Sequence, residues 1–328
     1  MDKWPETLQE AIQYFTEEAN CNAFMIAIRW ADGVVRCPHC DSDNVTYLPS
    51  QRRWKCYSKH PRPQFSLKVG TIFEDSPLGL DKWLPAVWLI CNCKNGISSY
   101  ELSRDLAITQ KSTWFMLHRI RLAMQTGTWK KLGGPGSAIE ADETFVGGKL
   151  ANMHLDKQTR MRMGKKRTGG YEGKTVVMGL LERHSKGSKA RVKVLPNTRA
   201  WHVRRNVIEN VERGSNVYSD GLHSYRNLPV DGYIHEFIDH AEAYVRGQVH
   251  TNGLENFWSL FKRALKGTYV SVEPYHLQAY ADEQCFRFNE RKSTDFQRFA
   301  LTMMQIVGRR LTYKELTGKQ EELERDPG

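Results

Sequence analysis

The chain has 328 residues, 40% hydrophobic and 26% charged, a balance that excludes fibrous and wholly disordered classes and supports two or three cored domains. Lys and Arg number 48 against 37 Asp and Glu, a net charge of +11, which suits a protein that displaces counterions from a polyanion, with nucleic acid the first candidate. The longest uncharged apolar run, Trp83 to Cys91, is far short of the roughly 20 residues of a membrane helix.

The first residues carry no signal-peptide apolar region. The seven cysteines include a Cys37-Pro-His-Cys40 turn, so metal ligation in a reducing cytoplasm outweighs a disulfide framework. Residues 1–30 hold Leu8, Ile12, Phe15 and Ala19 at helical spacing behind Pro5, which predicts an N-terminal amphipathic helix. Residues 31–76 read as a zinc ribbon. One Cys-x2-Cys knuckle is followed by β-like runs and a second knuckle, Cys56 and His60, of the form Cys-x3-His. Four such ligands satisfy one tetrahedral, structural zinc ion. The bland alternative makes Cys56 a buried thiol and His60 a surface histidine.

Residues 77–130 predict a helical, helix-turn-helix DNA-binding region. Ser98 or Ser99 caps a helix carrying Leu102 and Leu106, Ala107-Ile108-Thr109 turns, and a second helix from Gln110 sends Trp114, Leu117 and Ile120 inward. Its other face is expected to offer Lys111, Arg119 and Arg121 to phosphates. An ordinary three-helix packing unit has the same pattern.

The Gly133-Gly134-Pro135-Gly136 cluster marks a boundary, and residues 137–313 predict a second domain before a polar tail, 314–328. A strand over 138–148 places Glu140, Asp142 and Thr144 on one face and Ile139, Ala141 and Phe145 on the other. Strands follow at 174–183 and 189–196. Between the first two lies a basic loop, 151–174, whose Lys165, Lys166 and Arg167 are candidate DNA contacts. Next come a helix at about 199–213, strands at 216–221 and 233–238, a helix at 254–265, and further helix to about 313. That order is the order of an RNase H-like α/β fold.

Such a fold carries out phosphoryl chemistry with two divalent ions held between carboxylates from different elements. Asp142 on the first strand, Asp220 at the end of the fourth and Glu255 opening the helix after the fifth stand at the required places. Each has a plainer explanation: Asp142 as one acid of a solvated strand face shared with Glu140, Asp220 as a turn residue, and Glu255 as the acid of a capping box with Asn252. Their joint occurrence favours the catalytic one. On the helix, Leu254, Phe257, Trp258, Phe261 and Leu265 share an apolar arc, beside a polar stripe of Glu255, Ser259, Lys262 and Lys266. Lys262 lies two turns beyond Glu255 and can face DNA from the same groove, with Lys266 one turn further. Asn256 points about 100° away.

The stretches CPHC, FSLKVGTIFEDS, IEADETFVGGK, YSDGLHSY and HTNGLENFWSLFKRALKGTYVSVEPYHLQAYADEQCFRFNER resemble the bacterial insertion-sequence DDE transposases of the ISXO type, which carry an N-terminal zinc ribbon. The resemblance runs from about residue 30 to 313. It implies a DDE catalytic domain using magnesium or manganese, recognition of terminal inverted repeats in double-stranded DNA, end cleavage and joining to target DNA. A homo-oligomeric synaptic complex and a nucleoid-associated cytoplasmic location go with it. Mapped onto this sequence it assigns Asp142, Asp220, Glu255 and Lys262. Some members use an asparagine as third ligand, so Glu255 and neighbouring Asn256 both stay open, with helical spacing favouring Glu255. The alternatives are a non-catalytic DNA-binding regulator, for which clustered acids near phosphates are repulsive, and a structure-selective nuclease of the same fold.

Overall fold

The computed structural model describes residues 4–125, 130–147, 174–185, 187–220, 223–238 and 250–318. The chain divides into two compact units, Met1–Gln125 with Ser293–Gly328, and Thr126–Lys292.

The expected single N-terminal helix is two, α1 (Leu8–Thr16) and α2 (Glu18–Arg29), separated at the extended Glu17. The break is held by side chains that take the last free carbonyls of α1. Asn20 Nδ2 donates to Tyr14 O at 3.0 Å, and Cys21 Sγ to Phe15 O at 3.1 Å. The buried face is therefore Ala11 and Phe15, while Leu8 and Ile12 are exposed. A three-stranded antiparallel sheet follows: β1 (Val45–Leu48), β2 (Arg53–Cys56) and β3 (Gln64–Phe65). Its fully buried cluster is only Val35, Cys37, Cys56 and Phe65, too little apolar material to hold a fold unaided.

Three helices complete this stretch: α3 (Leu80–Asn92), α4 (Ser99–Leu106) and α5 (Gln110–Met124). The Ser98 hydroxyl accepts from Glu101 N at 3.1 Å and the Thr109 hydroxyl from Ser112 N at 3.2 Å, capping α4 and α5. Between them Ala107 adopts the left-handed conformation, φ 53°.

The second unit is built on a five-stranded sheet of β4 (Ala138–Val146), β5 (Thr175–Glu182), β6 (Lys189–Leu195), β7 (Asn216–Asp220) and β8 (Ile234–Ile238). The spatial order is β6-β5-β4-β7-β8, antiparallel from β6 to β4 and parallel from β4 to β8. Strand alternation assigns two cores. Ile139, Ala141, Val176, Met178 and Leu180 pack on α6 (Ala200–Asn210) through Val203 and Val207. Val177 and Leu181 meet α7 (Asn252–Ala264) and α8 (Leu277–Asn289) through Leu254, Trp258, Leu277 and Ala281. Helices thus cover both faces of the sheet.

The boundary expected at residue 313 is corrected. The last helices, α9 (Asp295–Met304) and α10 (Tyr313–Thr317), belong with the first unit. The cause is aromatic packing: Phe299, fully buried, has ring centroids 5.6 Å from Phe15, 5.2 Å from Phe24 and 5.2 Å from Trp88. Arg309 also donates to the carbonyls of Leu122 and Gln125, at the end of α5. Among the described residues no helix is long and apolar enough to cross a membrane.

Phe299→Ala removes the shared ring of this cluster. It is expected to destabilise the first unit by about 3–5 kcal/mol, read as a lower denaturation midpoint; an unchanged midpoint would mean that α9 is not part of that core.

Candidate active site and metal centre

In the ribbon, Cys37, Cys40, Cys56 and His60 offer ligand atoms that all lie within 4.8 Å of one another. Cys40 Sγ is 3.7 Å from Cys56 Sγ, and Cys37 Sγ is 3.5 Å from His60 Nε2. Tetrahedral zinc, with Zn–S about 2.3 Å and Zn–N about 2.0 Å, requires edges of roughly 3.8 and 3.5 Å. The donor set and its spacing fit that ion, and His60 joins the cluster although its knuckle has one extra residue. Burial pushes the Cys56 thiol up, but hydrogen bonds from the Ser58 backbone, His60 and Cys40 outweigh it and bring the thiol to about 6, favouring the thiolate that ligates metal.

In the second unit, β7 pairs with residues 138–141 of β4, so Asp220 stands at the next register position, beside Asp142, from which β4 continues paired with β5. This is also where the sheet order reverses, the usual place for a site in an open α/β sheet. Asp142, Glu143 and Asp220 bring carboxylate oxygens within 4.8 Å of one another. The Trp258 indole donates to Asp142 Oδ2 at 2.8 Å. Burial, with the negative charges of Asp220 and Glu255, pushes Asp142 up to about 6. Glu143 is pushed to about 8, by burial first and then by Asp220 and Asp142, although the Tyr225 hydroxyl donates to its Oε1. Like charges so close are tolerated only when a proton or a cation neutralises them, so the cluster fits a divalent ion.

Glu255 is exposed on the first turn of α7, close enough for its charge to be felt at Asp142. The capping-box alternative is not present: Thr251 is the N-cap, without a side-chain bond, and Asn252 is already helical. The helix start is held from the sheet instead. Glu140, 1% exposed, accepts from Leu254 N through Oε2 at 2.9 Å and from Arg183 Nε through Oε1 at 2.6 Å. Arg183 also donates to His250 O. The face shared by Glu140 and Asp142 is therefore covered by α7 at Glu140, while Asp142 is half-buried. Close approach is possible because Gly179, paired with Asp142, has no Cβ; one built there would lie 2.7 Å from Trp258 and 2.8 Å from Leu254.

Lys262 and Lys266 are exposed at and beyond the end of α7, as is Lys111 on the first turn of α5. Arg119 and Arg121 correct the expectation that they face DNA: both are buried. Arg119 Nε donates to Leu311 O at 3.2 Å, another of its nitrogens to Glu74 O, and its guanidinium lies 4.9 Å from the Phe115 ring. The segment leading to α10 meets α5 at Arg119 through Leu311 O. Lys165, Lys166 and Arg167 lie outside the described residues. Glu143, Tyr225 and the Glu140–Arg183 pair escaped the sequence reading; the adjacency of Glu143 to Asp142 was the one local signal.

Residues 131–289 match the ISXO2-like transposase domain, and residues 16–58 match the transposase zinc-ribbon domain. A relative from Halobacterium salinarum, an uncharacterized protein in transposable element ISH50, is 29% identical over 261 residues, covering 77% of this chain and 85% of that protein.

Two measurements test this geometry. Cys37→Ser should lose the roughly one tightly held zinc per chain expected of a four-ligand ribbon; full retention of zinc on metal analysis rules the ligand set out. Gly179→Ala should overpack the contact of α7 with β5, costing about 1–3 kcal/mol in chemical denaturation, and a neutral result means that α7 sits less closely on the sheet.

Proposed function

From the matches to the ISXO2-like transposase domain over residues 131–289 and to the transposase zinc-ribbon domain over residues 16–58, we propose that the chain is an insertion-sequence transposase that binds the terminal inverted repeats of its element, cleaves the DNA ends and joins them to target DNA. The observation that carries this reading is the meeting of Asp142, midway along β4, with Asp220, at the end of the adjacent parallel strand β7, while Glu255 stands on the first turn of α7. The strand order, three antiparallel strands continued by two parallel ones between helical layers, supports an RNase H-like catalytic domain. The ribbon cysteines with His60 would hold one structural zinc. Asp142, Asp220 and Glu255 would hold two divalent ions, magnesium or manganese, which supply Lewis acidity at the scissile phosphate and lower the proton affinity of the attacking oxygen.

The chain's own groups do the remaining work. Trp258, bonded to Asp142 Oδ2, fixes the orientation of that carboxylate so that its other oxygen would be available to a divalent ion. Glu140 and Arg183 hold the start of α7, and with it Glu255, against the sheet. Lys262, two turns on, supplies a positive charge to the DNA strand, and Lys266 extends it. The helix pair α4–α5 resembles a helix-turn-helix whose accessible part is the start of α5. Lys111 is there, its ammonium 5.0 Å from the Tyr313 ring. Double-stranded DNA is the partner that the +11 charge favours, and two ends handled together call for a homo-oligomer.

The test is strand cleavage and joining on a labelled terminal-repeat duplex with magnesium or manganese. Asp220→Asn keeps shape but loses a negative ligand, so cleavage should fall by roughly 100-fold or more, since several kcal/mol depend on the ions, while repeat binding survives. Glu255→Gln should follow it, and Asn256→Ala should keep substantial activity. If Asn256→Ala abolishes cleavage and Glu255→Gln does not, Asn256 is the third ligand; if neither matters, the catalytic reading fails.

A further inference from the structure

We infer that Glu143 is a further carboxylate ligand of the divalent-ion site, reaching it from the opposite face of β4 to Asp142 and held there by the hydroxyl of Tyr225. This rests on the divalent-ion reading above and goes beyond it, because the carboxylates of that reading are Asp142, Asp220 and Glu255 alone. Glu143 leaves β4 on the side of α6, yet its carboxylate oxygen lies within 4.8 Å of those of both Asp142 and Asp220. Both acids flank the register position at which the described part of β7 ends, at Asp220.

Tyr225, fully buried, is what aims the side chain. Its hydroxyl donates to Oε1, and a carboxylate's second oxygen is a hard donor of the kind magnesium and manganese take. The ring of Tyr225 stacks on His235, with centroids 6.0 Å apart. His235 Nε2 lies 2.9 Å from the hydroxyl of Ser219, the residue before Asp220. One wall of Tyr225 and His235 therefore supports Glu143 directly and the strand end that carries Asp220 through Ser219. A glutamate buried only to bond a tyrosine would serve as well away from two aspartates. Placed among them, its ionised form is a third negative charge within a few ångströms, a cost that a divalent cation converts into attraction.

The measurement is Mn2+ affinity of the full-length, zinc-loaded chain without DNA, read by electron paramagnetic resonance, together with the rise in melting temperature that Mn2+ produces. Glu143→Gln retains an acceptor for Tyr225 and removes the charge. It is expected to weaken Mn2+ binding by about 100-fold and abolish the thermal shift, with Tyr225→Phe weakening it by about 10-fold, as for partners that orient a ligand. The metal-free melting temperature of Glu143→Gln should not fall, which separates a ligand from a packing role; Glu143→Asp, which keeps the charge on a shorter arm, should also bind more weakly. Asp220→Asn is the control. If it loses Mn2+ affinity and Glu143→Gln does not, the inference is overturned while the divalent-ion reading stands. If Asp220→Asn binds Mn2+ as the unaltered chain does, both fall together.

Discussion

The second unit depends on how one buried carboxylate is neutralised. Glu140 sits beneath α7, where a bare charge is expensive, and two different donors meet it: the Arg183 guanidinium from the end of β5 and the backbone N–H of Leu254 in the first turn of the helix. That N–H is among those a helix cannot satisfy by itself, and a helix start carries positive potential. The bond therefore fixes the depth, rotation and starting residue of α7. Replacing such a buried pair with apolar groups is often neutral for stability, so its value here is positional. Gly253 and Gly179 leave the space: a Cβ at Gly253 would lie 2.9 Å from Glu140, and one at Gly179 would meet Trp258.

Acids on one strand thus meet two fates. Glu140 has its charge balanced by protein groups and acts as an anchor. Asp142 and Glu143, two and three residues on, are pushed upward by burial and by each other. A charge the fold has already neutralised has little left to offer a ligand, whereas one left against its neighbours is poised for a proton or a cation. The indole of Trp258 and the hydroxyl of Tyr225 orient these two without neutralising them.

What was legible in the sequence was what is encoded locally. Period-two alternation located β4, the Cys-x2-Cys turn announced the ribbon, and of the two serines read as caps for α4 it is Ser98 that bonds, with Thr109, read as part of the turn, capping α5. Period 3.6 on α7 separated Glu255 from the apolar arc of Leu254, Trp258 and Phe261, all three of which are buried. What escaped depends on residues distant along the chain. Arg119 and Arg121 look like a basic face in the sequence, yet both are buried, Arg119 against the segment before α10 through Leu311 O. Thr71 likewise pairs with Val307, a link no window of sequence contains. Glu143 escaped because strand alternation puts it on the face away from Asp142, and its oxygen comes near those of Asp142 and Asp220 only in the folded chain.

The first unit is discontinuous: its ring cluster joins Phe15 and Phe24 to Phe299, with the whole Thr126–Lys292 unit between them in the chain. During synthesis, at about 5–20 residues per second, the N-terminal helices wait on the order of 10–50 s for the aromatic partner that closes their core. A folding order follows from that interval. The unit begun first is finished last, and the second unit, continuous in sequence, can complete its sheet while Phe15, Phe24 and Trp88 are still exposed. Nascent chains of this kind offer an apolar surface to chaperones, or to a sister chain on the same message, for the whole of that wait.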